Sequence, residues 1–116
     1  MADDVKLGNV LYPTADVPAA LAFYSDALGC AVKFQDGARF AALDAGCTTL
    51  ALAGPAEDVT GGRPAASFKV ADVAAAVERL VAAGAKIERP AEEGPHETRA
   101  VLLDPWDNPF VLYAAR

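Results

Sequence analysis

Two stretches of the chain carry the same order of hydrophobic and polar positions. Residues 15–21 read Ala-Asp-Val-Pro-Ala-Ala-Leu, and residues 71–77, which lie 56 positions later, read Ala-Asp-Val-Ala-Ala-Ala-Val. In each copy a strand-like run comes first, and apolar residues then recur at helical spacing until a glycine, Gly29 or Gly84. A repeat of this length in two copies predicts two similar supersecondary units within one fold.

The repeat predicts one helix in each unit, over residues 16–28 and 72–83. Asp16 and Asp72 stand where a helix begins, and an aspartate side chain accepts hydrogen bonds from the free N–H groups of the first turn. A glycine that adopts left-handed backbone readily ends each helix. We therefore interpret the two aspartates as helix caps and not as a catalytic pair.

Alternating apolar residues separated by glycine-containing turns predict the strands. These are residues 5–13, 31–35, 39–44, 48–53, 66–70, 85–88, 97–103 and 110–114, with an irregular stretch at 89–95. The predicted fold class is α+β, with two βαβββ modules whose curved sheets enclose a cleft. Their bounds are residues 5–53 and 65–114, joined by a linker at 54–64, in a single domain over residues 1–116.

Composition narrows the classes of partner. The chain has 116 residues, of which 53% are hydrophobic, and its formal net charge is −6. Its lysines and arginines are scattered singly, which argues against a nucleic-acid partner. No apolar run reaches the roughly 20 residues of a membrane span. The acidic start, residues 1–6, lacks the basic and apolar regions of a secretory signal, so we expect a cytoplasmic protein with no membrane partner.

The two cysteines, Cys30 and Cys47, are far apart in the sequence and lie in apolar surroundings. Without a secretory signal, such cysteines are expected to be buried, reduced thiols. A reactive cysteine is usually placed beside a basic group, and the local sequence supplies none.

Three segments resemble the vicinal oxygen chelate superfamily, also called the glyoxalase/bleomycin resistance/dioxygenase group. They are residues 15–17, residues 22–29 (Ala-Phe-Tyr-Ser-Asp-Ala-Leu-Gly) and residues 104–108 (Asp-Pro-Trp-Asp-Asn). The last segment is similar to the Asp-Pro-x-Gly-Asn turn of that family, with Asp107 where glycine is usual. Aspartate tolerates left-handed backbone better than most residues, so the turn is expected to survive.

The resemblance also implies where a metal would be held. Counting from the shared segments places the usual ligand positions of the family at Asn9, Ala51, Ala65 and Val111. Alanine and valine cannot coordinate a metal, and a neutral asparagine alone is a poor ligand. We therefore expect no metal, no other cofactor and no assignable catalytic residue.

A cavity without a metal suits a small organic ligand, with apolar walls and a few polar groups that orient it. The expected ligand-binding residues are Asn9, Leu11, Phe40, Thr49, Ser67, Lys69, His96, Val111 and Tyr113. Three of these keep alternative interpretations. Phe40 is either part of the cleft wall or a core residue. Lys69 is either a charge on an edge strand or a cation that faces an anionic ligand, and Arg99 in the strand over 97–103 has the same two interpretations. His96 is either an ordinary surface histidine, which we favour, or a ring that stacks on the ligand.

Three functions remain open. The first is a metal-free homodimer that sequesters an antibiotic or metabolite, as implied by similarity to the bleomycin-resistance branch. The alternative is a glyoxalase-like lyase or isomerase with a divergent active site, in which Tyr113, Lys69 or His96 would act without a metal. The third is a module that binds a protein partner.

Overall fold

The computed structural model describes residues 5–115, which form eight strands and two α-helices in the order βαβββ, twice. The predicted α+β class is confirmed. The chain start, residues 1–4, on which part of the cytoplasmic expectation depends, lies outside the described residues. The elements are β1 (Lys6–Pro13), α1 (Val17–Ala22), β2 (Ala31–Asp36), β3 (Phe40–Asp44), β4 (Thr49–Ala53), β5 (Ala65–Lys69), α2 (Val73–Ala82), β6 (Lys86–Glu93), β7 (Glu97–Leu103) and β8 (Pro109–Ala115).

In each module the first and last strands lie side by side. β1 pairs in parallel with β4, and β3 and β2 follow in antiparallel order, so the strand order is β2-β3-β4-β1. β5 pairs in parallel with β8, followed by β7 and β6, so the order is β5-β8-β7-β6. Contacts divide the described chain into two compact units, residues 9–64 and residues 65–115 with 5–8.

The helices begin where the repeat predicts. The Asp16 carboxylate accepts a hydrogen bond from the Ala19 N–H at 3.0 Å, and the Asp72 carboxylate accepts one from the Ala75 N–H at 3.1 Å. Each bond satisfies a donor that has no partner inside the helix. Both aspartates are therefore structural caps. Neither helix in the described part of the chain is long and apolar enough to cross a membrane.

The first helix holds one residue more than the second between its cap and its terminal glycine. Gly29 lies 13 residues after Asp16, whereas Gly84 lies 12 residues after Asp72. Both glycines have left-handed backbone, with φ of 99° and 115°. The extra residue is accommodated by a π-helical segment, Phe23–Ala27, which continues α1. A single wide turn is the usual way in which a helix absorbs an inserted residue.

Each module has its own hydrophobic core between its helix and its strands. The first core consists of Val17, Leu21, Ala41, Leu43, Leu50 and Leu52. The second consists of Val70, Val73, Ala76, Ala100, Leu102 and Leu112. In each strand the core residues alternate with residues that point away from the helix. The cores therefore determine which side chains remain on the opposite, helix-free face of each module.

Strand β6 is longer than the sequence indicates. The alternation predicts a strand over 85–88 and an irregular stretch at 89–95, but β6 continues to Glu93. Pro90 interrupts the pattern, yet β6 is the last strand in its module's order, where a missing N–H does not break a ladder on both sides. Shifts of register between Ile87 and Arg89, and between Arg89 and Glu92, absorb the irregularity.

The turn between β7 and β8 is held by one carboxylate. Asp104 accepts hydrogen bonds from the Trp106 N–H at 2.9 Å, the Asn108 N–H at 2.9 Å and the Asn108 side-chain amide at 3.0 Å. Asp107 has left-handed backbone, with φ of 68°, as the resemblance requires at that position. Hydrogen bonds from the side chain and backbone of Asn108 hold the pKa of Asp104 below its ordinary value.

Replacing a buried core leucine should destabilise the fold far more than replacing an exposed one. Leu43 is fully buried, and Leu43→Ala is expected to lower the free energy of unfolding by about 2–5 kcal/mol because it leaves a cavity. Leu28 is 65% exposed, and Leu28→Ala should change that free energy by at most about 0.5 kcal/mol. Urea unfolding followed by circular dichroism measures both. Equal effects would contradict the assigned core.

The Asp104 turn should contribute a pH-dependent part of the stability. Its pKa is lower in the folded than in the unfolded chain, so its contribution is present above the unfolded pKa and is lost as pH falls through the folded pKa. Asp104→Asn should therefore lower Tm at neutral pH, and the difference from wild type should shrink in acid. Asp107→Asn is the control, because it removes only an exposed ion pair with Lys86. A Tm difference independent of pH would contradict the assignment.

Candidate functional site

Eight of the nine residues expected to bind ligand lie on the helix-free faces, in two separate sets. Leu50, Leu52, Ala41 and Leu43 belong to the core of the first module, so alternation places Asn9, Leu11, Phe40 and Thr49 on its opposite face. In the second module, Phe68 and Leu112 pack toward α2, which places Ser67, Lys69, Val111 and Tyr113 on the other face. His96 is exposed in the turn between β6 and β7.

The helix-free face of the first module carries both polar and aromatic side chains. Asn9 lies opposite Thr49, and the Lys33 ammonium donates a 2.6 Å hydrogen bond to the Thr49 hydroxyl. The Asn9 side-chain oxygen is buried and has no hydrogen-bond partner in the structure. The rings of Phe34 and Phe40 stack with centroids 5.9 Å apart. This face therefore offers aromatic surface in the row of Phe40 and Ala53, and an amide oxygen that lacks a donor four residues away along the strands, in the row of Asn9 and Thr49.

Sequence alternation misses Lys33 and Phe34. A register shift between Val32 and Phe34 lies in the pairing of β2 with β3, so a period of two does not assign the faces of β2. Lys33 stands at that shift and reaches Thr49. A lysine within an otherwise apolar strand is a sequence signal for a functional residue. Only the pairing of β2 with β3 shows on which face of the sheet Lys33 acts.

On the second module's helix-free face, a tyrosine lies between two cationic residues in the strand pairing. Lys69 of β5 lies opposite Tyr113 of β8, and Tyr113 lies opposite Arg99 of β7. Neighbouring strands are about 4.8 Å apart, and directly opposed residues share a face. The three side chains therefore form one row across three strands, here called the cation row. The sequence suggests both cations as candidates but does not show that Tyr113 separates them.

Arg99 is the least satisfied member of the cation row. Its Nε is buried and has no hydrogen-bond partner in the structure. Glu92 lies opposite Arg99 in the pairing of β6 with β7, but the Glu92 carboxylate accepts a 3.1 Å hydrogen bond from Arg89. Among residues 5–115, Lys69 forms no ion pair or hydrogen bond. The cation row therefore has positive charge that the described protein groups leave unneutralised.

The Tyr113 side chain lies against the backbone of β1. A Cβ atom built on Gly8 would be 1.7 Å from the Tyr113 hydroxyl oxygen and 2.7 Å from Cζ of the ring. Only glycine leaves room for the ring at this place. Gly8 therefore makes room for the Tyr113 ring to extend from β8 to the backbone of β1.

The residues present do not fit a metal centre. The mapped positions Asn9, Ala51, Ala65 and Val111 all lie on helix-free faces, which supports the mapping, but three of them have only aliphatic side chains. Those three are buried, with 2%, 6% and 4% of their surface exposed. No group of three histidine, cysteine, aspartate or glutamate side chains within residues 5–115 is arranged to hold a metal. No reaction step through a metal is supported by this donor set.

The exposure of the two cysteines and of the tryptophan follows from the structure. Both cysteines are free, but Cys47 is exposed and Cys30 is only half-buried, so the expectation of two buried thiols is wrong. Cys47 lies in the turn between β3 and β4. Trp106, in the turn between β7 and β8, is 79% exposed.

Comparisons with known proteins agree with this geometry. A protein of Mycolicibacterium smegmatis described as uncharacterized is 39% identical over 111 residues, covering 96% of this chain and 95% of its own length. Methylmalonyl-CoA epimerase from Mycobacterium tuberculosis has a similar fold, with a TM-score of 0.70, 20% identity, and coverage of 99% of this chain and 89% of its own.

A glyoxalase/bleomycin resistance protein/dioxygenase superfamily member from Vibrio splendidus has a TM-score of 0.65, with 17% identity over 95% of this chain and 98% of its own. At such low identities, similarity to these two structures shows a shared fold and does not establish a shared activity. The family model for the Glyoxalase/Bleomycin resistance protein/Dioxygenase superfamily matches residues 6–112, nearly the whole chain. The chain therefore belongs to the glyoxalase/bleomycin resistance protein/dioxygenase superfamily.

Proposed function

We propose that this protein binds a small organic anion on the helix-free face of its second module, without a bound metal and without chemical conversion. The proposal extends to sequestration of an antibiotic or metabolite by a cytoplasmic homodimer that has no nucleic-acid or membrane partner. The observation that carries it is the cation row, in which Lys69, Tyr113 and Arg99 lie side by side.

The buried Nε of Arg99 supports an anionic ligand. A buried donor without a partner costs about 1–3 kcal/mol, and more when it belongs to a charged group. A carboxylate oxygen would accept from this nitrogen and from the rest of the guanidinium, whose planar fork matches a carboxylate. Ligand binding would then satisfy a group that the described protein atoms leave unsatisfied.

The surroundings of the cation row support a ligand that is partly apolar. Ser67 and Val111 lie opposite each other on the same face and are 3% and 4% exposed. Val101 lies opposite Val111 and adds a second branched aliphatic side chain. A site with aliphatic walls and a few polar groups is typical of pockets for small organic molecules. An aromatic or branched carboxylate has both the charge and the apolar body that this face offers.

Of the three side chains that would act in a metal-free lyase or isomerase, Lys69 and Tyr113 lie opposite each other in the strand pairing, whereas His96 does not join them. A general base must lie within hydrogen-bond reach of the proton that it removes, and it is usually oriented by a further group. His96 is exposed in a turn outside the cation row. Turnover of the methylglyoxal–glutathione adduct would nevertheless support the enzyme alternative and count against simple binding.

Removing the arginine charge should weaken anion binding. Benzoate serves as the probe, and its dissociation constant is measured by amide chemical shifts in a titration. Arg99→Gln should weaken binding about ten- to hundredfold, because hydrogen bonds to charged groups contribute about 1.5–3 kcal/mol. Lys69→Gln should weaken it less, since a flexible ammonium binds as a point charge.

Lys86→Gln is the control for this titration. Lys86 is also a cation of β6 in the second module, but it is paired with Asp107 and is 64% exposed at its side chain. Its replacement should leave benzoate binding within about twofold of wild type, as expected for a screened surface charge. Equal losses from Lys86→Gln and Arg99→Gln would indicate a nonspecific charge effect and would contradict the proposed site.

Displacing the tyrosine without altering the cations should also weaken binding. Gly8→Ala places a methyl group where the Tyr113 ring now lies, so the ring must move from its present position. We expect lower affinity for benzoate with a small change in Tm, because the far end of one side chain moves and the strand does not. Unchanged affinity in Gly8→Ala, together with a shifted ring signal of Tyr113, would show that the hydroxyl is not part of the site.

A further inference from the structure

The second module contains a cavity on its other side, between α2 and the strands β5 and β8. The cavity has a volume of about 550 Å³. Its walls are mostly apolar and include Ala66, Phe68, Val70, Leu80, Phe110 and Leu112. Because these residues alternate with Ser67, Lys69, Val111 and Tyr113 along the strands, the cavity lies on the opposite face from the cation row.

Comparison of the two repeats explains why this space exists. In the first module, Tyr24 of the helical segment packs against Tyr12 of β1, with ring centroids 6.1 Å apart. The residues 56 positions later are Leu80 and Phe68. Phe68 contacts Phe110 instead, with centroids 6.2 Å apart. A leucine thus replaces the tyrosine that fills the corresponding space in the first module, and the helix and the strand no longer meet through two rings.

The rim of the cavity carries one cationic and one anionic side chain. Its polar lining groups are Arg79, Asp104 and Asn108. Asp104 keeps its negative charge, because hydrogen bonds from Asn108 hold its pKa below the ordinary value, and its oxygens accept three hydrogen bonds from the turn that they hold. Arg79 forms no ion pair or hydrogen bond with any residue between 5 and 115. The Arg79 guanidinium is therefore the charged hydrogen-bond donor at this rim that can pair with an anion.

We propose that this cavity is a second binding site, for an amphipathic carboxylate whose apolar part lies between α2 and the strands and whose carboxylate pairs with Arg79. The volume falls within the range of about 300–1,000 Å³ that is typical of small-molecule sites. The aromatic edges of Phe68 and Phe110 and the side chain of Leu80 provide the apolar surface. The exposed guanidinium at the rim selects for an acid over a neutral molecule of the same length.

Decanoate is the probe for this site, and titration calorimetry gives its dissociation constant. The fluorescence of Trp106 is a second readout, because it is the only tryptophan and lies in the turn whose Asp104 and Asn108 line the cavity. Leu80→Tyr, which restores the side chain of the first repeat, should weaken decanoate binding at least about tenfold by filling the cavity. Val81→Tyr is the matched control, because Val81 is 41% exposed on the same helix and does not line the cavity.

The charge is tested separately with Arg79→Gln, an exposed substitution that should not impair folding. It should weaken decanoate binding about two- to fivefold, as expected for an exposed ion pair, and leave decanol binding unchanged. Glu78→Gln is the control for a nearby charge on the same helix. Equal loss of decanol and decanoate binding in Arg79→Gln would contradict the pairing of Arg79 with the carboxylate.

Two results would overturn the proposal even if Leu80→Tyr fails to fold. One is the absence of decanoate binding to the wild-type protein at millimolar concentration. The other is loss of decanoate binding in Arg99→Gln with no loss in Arg79→Gln, which would place the fatty acid on the cation row. Retained decanoate binding in Arg99→Gln, together with the expected losses in Arg79→Gln and Leu80→Tyr, would support a separate site whatever the outcome of the benzoate titration.

Discussion

The parallel pairing of the first and last strands in each module is the constraint on which the other features depend. This pairing places Lys69 beside Tyr113 in the second module and Asn9 beside Thr49 in the first. A shift of one residue would move every side chain of a strand to the other face. The buried residues Leu52 and Leu112, on the helix side, make such a shift costly because they would leave their cores. The cores thus hold the helix-free faces in register.

The two modules share a scaffold but differ in chemistry at matched positions. In the first module, Pro13 and Phe40 both lie opposite Ala53. In the second, Lys69 and Arg99 both lie opposite Tyr113. The same strand pairing therefore carries an apolar row in the first module and the cation row in the second. On the helix side, Tyr24 of the first module packs against Tyr12, whereas Leu80 at the matched position of the second module lines a cavity.

Local signals in the sequence were sufficient for most of the fold. The caps Asp16 and Asp72 and the alternation of buried residues predict the elements because each signal acts within a few residues. The π-helical segment and the extension of β6 past Pro90 were not predicted, since both depend on how the neighbouring strands and turns absorb an irregular residue. Helix and strand propensity alone contain no information on such local adjustments.

The candidate site was only partly predictable, for a related reason. Alternation places Ser67, Lys69, Val111 and Tyr113 on one face, but the order of Lys69, Tyr113 and Arg99 across three strands requires the pairing itself. Tyr113 and Gly8 are in contact although they are distant in sequence, so no local sequence pattern predicts this contact.

The central claim is that the helix-free face of the second module binds an organic anion directly, without a metal. Elemental analysis of untagged protein, purified without chelator and then incubated with nickel, zinc, manganese or iron(II), tests it most directly. The account predicts metal far below one equivalent per chain, because Ala51, Ala65 and Val111 provide no donor atoms. Metal near one equivalent per chain after removal of the excess would contradict the account and redirect the search toward enzyme substrates.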